Sequence, residues 1–204
     1  MTEPQKFRPR EVAKRVFLRE LSAAKEMIKN EEDQYAPSYL QLPTGGEAAR
    51  VFVVGTLIEL EDIGKDSTMY KLRIVDPTGS ISAYAGDRFQ AEVVEVIEKL
   101  AFPSLVAVVA KPNLYESPSD GKIITSLRIE QIGVVDQATR LRWIRETLEA
   151  TNKRIFASDA KEWGGMCNEV ETFLVEQLPK VHQITAEIAT TKEQIETIDF
   201  SGGK

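Results

Sequence analysis

Apolar and polar positions alternate with a period of two through the middle of the chain, and with a period near 3.6 on either side of it. The run VFVVGTLIEL at 51–60 is dense in β-branched residues, with Gly55 placed where a long strand would bend around a corner. After the polar loop EDIGKDST, MYKLRIVD at 69–76 sets Tyr70, Leu72 and Ile74 on one face against Lys71, Arg73 and Val75 on the other. That alternation is the mark of a half-buried strand. Asp76-Pro77-Thr78-Gly79 predicts a chain reversal, Pro77 presetting φ. Residues 80–85 resume the alternation, with Ile81, Ala83 and Ala85 inward and Ser82 and Tyr84 outward. Over 90–100, Val93, Val94, Ile97 and Leu100 form one apolar stripe that predicts a helix, which Pro103 stops. The runs at 105–111 and 122–135 predict two further strands joined by the polar loop PNLYESPSDG.

Three strands, a helix and two more strands follow the order of the five-stranded Greek-key OB-fold barrel, the barrel used for oligonucleotide binding. A small β-sandwich does not need the helix after the third strand. The expected architecture is therefore mainly β with α, a barrel over 51–135 flanked by an N-terminal helix and C-terminal helices. Residues 1–30 hold the first of these: Ala13, Phe17, Leu21, Ala24 and Ile28 recur at helical spacing, with Pro9 near the start. Residues 31–50 read as an extended connector, broken by Pro37, Pro43 and Gly45-Gly46 and anchored by Tyr35, Tyr39 and Leu40. Residues 136–156 predict a helix capped by Asp136, with Leu141, Ile144, Leu148 and Ile155 in one stripe and Trp143 beside it. Such a stripe must be covered, by the open end of the barrel or by a partner subunit in a helix bundle, which makes these four residues candidate partner contacts. Residues 157–204 form a C-terminal extension: a polar break at 157–165, then a helix carrying Val170, Phe173, Leu174 and Leu178 up to Pro179. Beyond it Val181, Ile184, Ile188, Ile195 and Ile198 keep a helical spacing in a polar stretch, expected to depend on a partner, before a tail at 201–204.

Charge changes this picture. The chain of 204 residues carries a net charge of −6, and residues 51–133 hold eight Lys or Arg against twelve Asp or Glu, a local −4. Nucleic-acid proteins usually show the opposite excess, which argues against strong autonomous binding. Residues 1–29 stand apart at +4, with eight basic and four acidic residues; a solvated helix face explains this better than a phosphate-binding arm. One Cys, Cys167, and one His, His182, exclude a zinc cluster or a disulfide framework within one chain. No apolar run approaches the ~20 residues of a membrane span, and the expected compartment is a reducing cytoplasm. No constellation supports catalysis, a metal or a cofactor. His182 and Cys167 lack recognisable partners, and PTGGEAAR is too short for a phosphate loop.

Barrels of this type carry single strands across the outer side of strands two and three. Alternation puts Lys71, Arg73 and Tyr84 there, followed by Arg88 and Phe89. Phosphates would meet the cations and a base the ring, each stacked base worth ~1–3 kcal/mol. Lys65, Lys111, Tyr115 and Lys122 in the loops, with Arg128 on the fifth strand, extend the candidate track. A barrel of the same shape also serves as a protein-binding assembly module.

The stretches REVAKRVF, APSYLQLPTGGEAARVFVVGTL, VDPTGSISAYAG, VAVVAKPNLYES and VDQATRLRW resemble, in order over residues 8–155, the archaeal replication protein A-associated protein family. The resemblance implies a non-enzymatic OB-fold accessory subunit of a replication protein A complex, acting on single-stranded DNA in replication and repair. It implies a hetero-oligomer with replication protein A subunits as partners, and transfers no individual binding residue.

Overall fold

The computed structural model describes residues 11–29 and 37–177, apart from the side chain of Phe89. Nine strands are present among them: β1 Lys14–Arg15, β2 Met27–Ile28, β3 Tyr39–Gln41, β4 Glu47–Ala48, β5 Val51–Asp62, β6 Met69–Asp76, β7 Gly79–Gly86, β8 Ser104–Glu116 and β9 Ile123–Val134. The helices are α1 Leu18–Ala23, α2 Asp87–Glu98 and α3 Gln137–Ser158. A 3-10 turn at Lys161–Trp163 leads into a helical stretch over 164–177, here α4.

The five long strands are hydrogen-bonded in the order β5-β6-β7-β9-β8, and β5 pairs back onto β8, so the sheet closes. All neighbours are antiparallel except β7 and β9, which run parallel. This is the expected OB-fold barrel, with α2 bridging β7 to β8 and packing on β7 and β9. The inward positions are those the alternation gave: Leu72, Ile74, Ile81, Ala83 and Ala85 are buried with Val53, Val106, Val108, Leu127 and Ile129. Gly55 sits where β5 changes partners. The β5–β8 ladder runs from Val51 to Leu57 while the β5–β6 ladder begins at Thr56, and a Cβ on Gly55 would lie 2.5 Å from the Val75 carbonyl oxygen. No side chain fits that corner.

Two segments differ from the sequence expectation. Among its described residues the N-terminal region is helical only over Leu18–Ala23. Before it, Lys14 and Arg15 pair in parallel with Val51 and Phe52; after it, Met27 and Ile28 pair with Leu40 and Tyr39. The apolar positions Phe17, Leu21 and Ala24 are buried as their spacing requires, but tertiary hydrogen bonds fix the backbone around them. The Leu18 amide donates to Asp76 Oδ2 at 2.8 Å and the Arg19 amide to Thr78 Oγ1 at 3.1 Å, while the Phe17 amide is capped locally by Glu20 Oε1 at 3.0 Å. The second difference is at 112–116, expected as loop and found as the end of β8. Pro112 is tolerated because the β5–β8 ladder ends at Ala110, leaving β8 with β9 alone beyond that point.

Helix α3 starts at Asp136, whose carboxylate accepts the Thr139 amide at 2.7 Å. Leu141, Ile144, Leu148 and Ile155 are buried within the chain, and α3 packs on β5 and β1. Of the two coverings open to that stripe, the single chain adopts folding back on the barrel. Trp143 completes the contact: its indole N–H donates to the Phe52 carbonyl at 3.0 Å and its ring meets Phe17 edge-on at 5.6 Å. In α4, Val170 and Leu174 are buried beside Met166 and Cys167. Leu178, Pro179, His182 and the apolar positions after them lie outside the described residues. Two arginines of the N-terminal segment are tied to these helices, Arg15 to Glu146 at 3.0 Å and Arg19 to Glu169 at 2.9 Å.

Candidate functional site

Directly paired residues of a ladder project to the same face of a sheet. Lys71 pairs with Tyr84, Tyr84 with Arg128, and Arg128 with Lys111, so four sequence-expected residues form one transverse rung across β6, β7, β9 and β8 on the outer face. At a strand spacing of about 4.8 Å the rung spans roughly 14 Å. Two steps further along the hairpin, Asn113 pairs with Ser126 and Tyr115 with Ile124. The outer face therefore continues past the barrel onto the β8–β9 hairpin, where Tyr115 and Ile124 are 54% and 51% exposed.

This face is one wall of an open groove of about 1680 Å³. Tyr84, Arg128, Lys111 and Tyr115 line it, and Lys71 adjoins it through Tyr84. The opposite wall was not anticipated from the sequence: it comes from the small β2–β3–β4 sheet and brings Met27, Ile28, Lys29 and Tyr39 to the groove. Tyr39 was expected only as a packing anchor; its hydroxyl donates to Glu11 Oε1 at 2.8 Å. The lining holds the cations Lys29, Arg50, Lys111 and Arg128 against the carboxylates Glu11 and Glu47, a local excess of two positive charges in an acidic protein.

The remaining candidates divide by what holds them. Among the described residues Lys71 and Arg128 make no ion pair. Arg73 is bound to Glu59 at 3.0 Å and donates to Ser80 Oγ at 3.2 Å, and Lys122 pairs with Asp120 at 3.0 Å in the hairpin turn. Arg88, exposed in the first turn of α2, does not line the groove, and neither does Lys65 in the β5–β6 loop. Phe89 lies on α2 with its side chain outside the described set.

Behind the rung sits an ion triad. Arg50 grips Glu130 with two hydrogen bonds, from Nε to Oε2 and from Nη2 to Oε1, the latter 3.1 Å, and Lys111 Nζ stands 3.6 Å from Oε1. Burial pushes the Glu130 carboxyl up, but the hydrogen bond and charge of Arg50 together with Lys111 outweigh it and hold the group below its ordinary value. The Glu130 hydrogen bond in turn raises Arg50.

No group of three His, Cys, Asp or Glu among the described residues is placed to hold a metal ion, and no helix among them is long and apolar enough to cross a membrane. Burial, and then the Glu20 carboxylate, push the Cys167 thiol upward, the wrong direction for a nucleophile.

No family model matches the chain, and no curated protein sequence does. Solved structures share its fold. A chain of the S. pombe Stn1-ten1 complex superposes with a TM-score of 0.54 at 11% identity, over 74% of this chain and 98% of that one. Smaller overlaps, each over 43% of this chain, join it to S. cerevisiae Rim1, a mitochondrial single-stranded DNA binding protein (TM-score 0.35, 15% identity, 95% of that chain). The asparaginyl-tRNA synthetase of Pyrococcus horikoshii overlaps likewise (TM-score 0.35, 24% identity, 20% of that chain). The first likeness shows an OB fold; at these identities the comparisons say nothing more of this chain.

Proposed function

We propose that this chain is a non-enzymatic OB-fold subunit that binds single-stranded DNA in the groove between the outer barrel face and the N-terminal sheet. The observation that carries the reading is the rung Lys71–Tyr84–Arg128–Lys111, an aromatic ring set between cations on adjacent strands. A base stacks on Tyr84, the flanking phosphates meet Lys71 and Arg128, and Tyr115 offers a second ring along the hairpin. The small charge surplus makes binding by the chain alone weak, which suits an accessory role. On the strength of the sequence resemblance, the partner is a replication protein A subunit and the setting is archaeal replication and repair. The apolar stripe of α3 is covered by the barrel, so such a partner meets other surfaces of the chain.

Titration of fluorescent oligo-dT with the full chain tests this. Tyr84→Ala is expected to weaken binding about 5- to 150-fold, the equivalent of ~1–3 kcal/mol for one stacked base. The logarithm of the binding constant should fall with log salt by about 0.7 for each phosphate neutralised. No binding at low salt, by the chain alone or with its partner, would overturn the reading. A second reading, a peptide-binding groove, draws on the exposed Ile28, Tyr115 and Ile124 that line it. It predicts binding that is nearly indifferent to salt and no response to oligo-dT.

A further inference from the structure

Strand β9 contains one residue more than β8 requires. Val109 pairs with Gln131 and Ala110 with Ile129, so Glu130 is the extra residue of a β-bulge and has no partner across the ladder. Bulges re-aim a side chain and recur beside functional sites. This one swings a carboxylate onto Arg50 and Lys111, two of the four cations that line the groove. The two are held unequally. Arg50 is 16% exposed in its side chain and gripped by both carboxylate oxygens. Lys111 is 41% exposed, and its 3.6 Å separation from Oε1 is longer than the about 2.7–2.9 Å of a charge-assisted hydrogen bond.

Resting on the single-strand reading above, we infer that Glu130 is a built-in stand-in for a backbone phosphate. In the empty groove its carboxylate occupies Lys111. When a strand lies across the rung, Lys111 lets go of Glu130 and takes the phosphodiester, while Arg50 keeps the carboxylate paired and Glu130 is never left as a lone charge. The exchange costs little on the protein side because the Lys111 contact is long and half in water. Glu130 thereby lowers the affinity of the groove for any anion and reserves it for ligands that also use Lys71, Tyr84 and Arg128. The competitor for the groove's cation is part of the barrel itself.

The test is oligo-dT binding to the full chain as wild type, as Glu130→Gln, and as Arg50→Met with Glu130→Met, which removes the buried pair together and remains informative where the single variant fails to fold. Both variants are expected to bind up to about five-fold tighter at low salt, the order expected of one partly exposed ion pair. Their log–log salt slopes should match wild type, because Lys111 takes the same phosphate in each, whereas Lys111→Met should flatten the slope by about 0.7. Lys111→Met in the Glu130→Gln background should abolish the gain. If Glu130 only braces the bulge, its removal weakens binding, and that result overturns the inference. Wild type that binds while neither variant binds tighter overturns it alone; absence of binding in every form overturns the underlying reading instead.

Discussion

Replacing Arg154 by Met is expected to unfold the protein more readily than any surface substitution. Arg154 on α3 and Glu20 on α1 are 134 positions apart, yet Arg154 Nη2 lies 2.7 Å from Glu20 Oε2. Glu20 is fully buried, and its other hydrogen bonds come from neutral donors: the Phe17 amide and Thr151 hydroxyl to Oε1, both at 3.0 Å, and the Thr44 hydroxyl to Oε2. Arg154 also donates to Thr44 Oγ1 at 3.2 Å and to Thr151 Oγ1 at 2.8 Å, so one guanidinium joins α1, the connector and α3. Without it a carboxylate stays in the interior with no counter-charge. The side chain of Arg154 is only 17% exposed, so solvent screens the pair little, and breaking a buried pair from one side costs ~3–5 kcal/mol. With a urea m-value of about 2 kcal/mol/M, the midpoint should fall by roughly 1.5–2.5 M. Urea unfolding followed by circular dichroism at neutral pH reads this directly. The double variant Glu20→Gln with Arg154→Met should recover part of the loss, because the stranded charge is then gone. A midpoint shift worth less than about 1 kcal/mol in the single variant would refute the argument that this ion pair holds the three segments together.

The other two expectations concern the barrel. Gly55→Ala places a methyl 2.5 Å from the Val75 carbonyl and 2.8 Å from Ile74 Cγ2, and should cost ~1–3 kcal/mol in the same urea assay, an overpacking loss. Glu130 sets a pH dependence. Its carboxyl is held below the ordinary value, so its stabilising contribution is complete above that value and lost as pH falls through the depressed one. Thermal melting points of Glu130→Gln should therefore fall less between neutral and acidic pH than those of wild type, and parallel curves would count against the ion triad.

The barrel was legible because its strands are half buried: a period of two names the inner face without any knowledge of neighbours. The same alternation found Lys71, Tyr84 and Arg128 as outward residues. That they form one rung depends on β7 running parallel to β9, a consequence of closure that no local pattern states. The described part of the N-terminal helix is shorter than the spacing implies for a related reason. Apolar residues at 13, 17, 21, 24 and 28 satisfy a helix, but they also satisfy a short strand, one turn of helix and another short strand. The choice was made by groups far away in sequence, among them Asp76, which takes the Leu18 amide. The second wall of the groove was hidden with it, since the short strands β2, β3 and β4 exist only as partners of one another. The Arg50–Glu130 pair spans 80 positions and depends on a bulge, which leaves no trace in composition.

Net charge is the one sequence property that points away from the proposed ligand, and the placement of the charges bears on how far it does. At 0.1 M salt the Debye length is about 10 Å, so a strand in the groove responds to charges within one or two rungs and little to the rest of the molecule. There the lining cations outnumber the carboxylates, while acidic residues such as Glu92 and Glu95 lie exposed on α2, outside the lining. Lowering the salt lengthens the reach of every charge, attractive and repulsive alike. The distant acids then oppose the gain that the nearby cations bring, and an acidic barrel should show a flatter salt dependence than a basic one with the same rung. Composition therefore bears on how steeply binding responds to salt, and the placement of Lys71, Arg128 and the Glu130-tethered Lys111 bears on where a strand can lie.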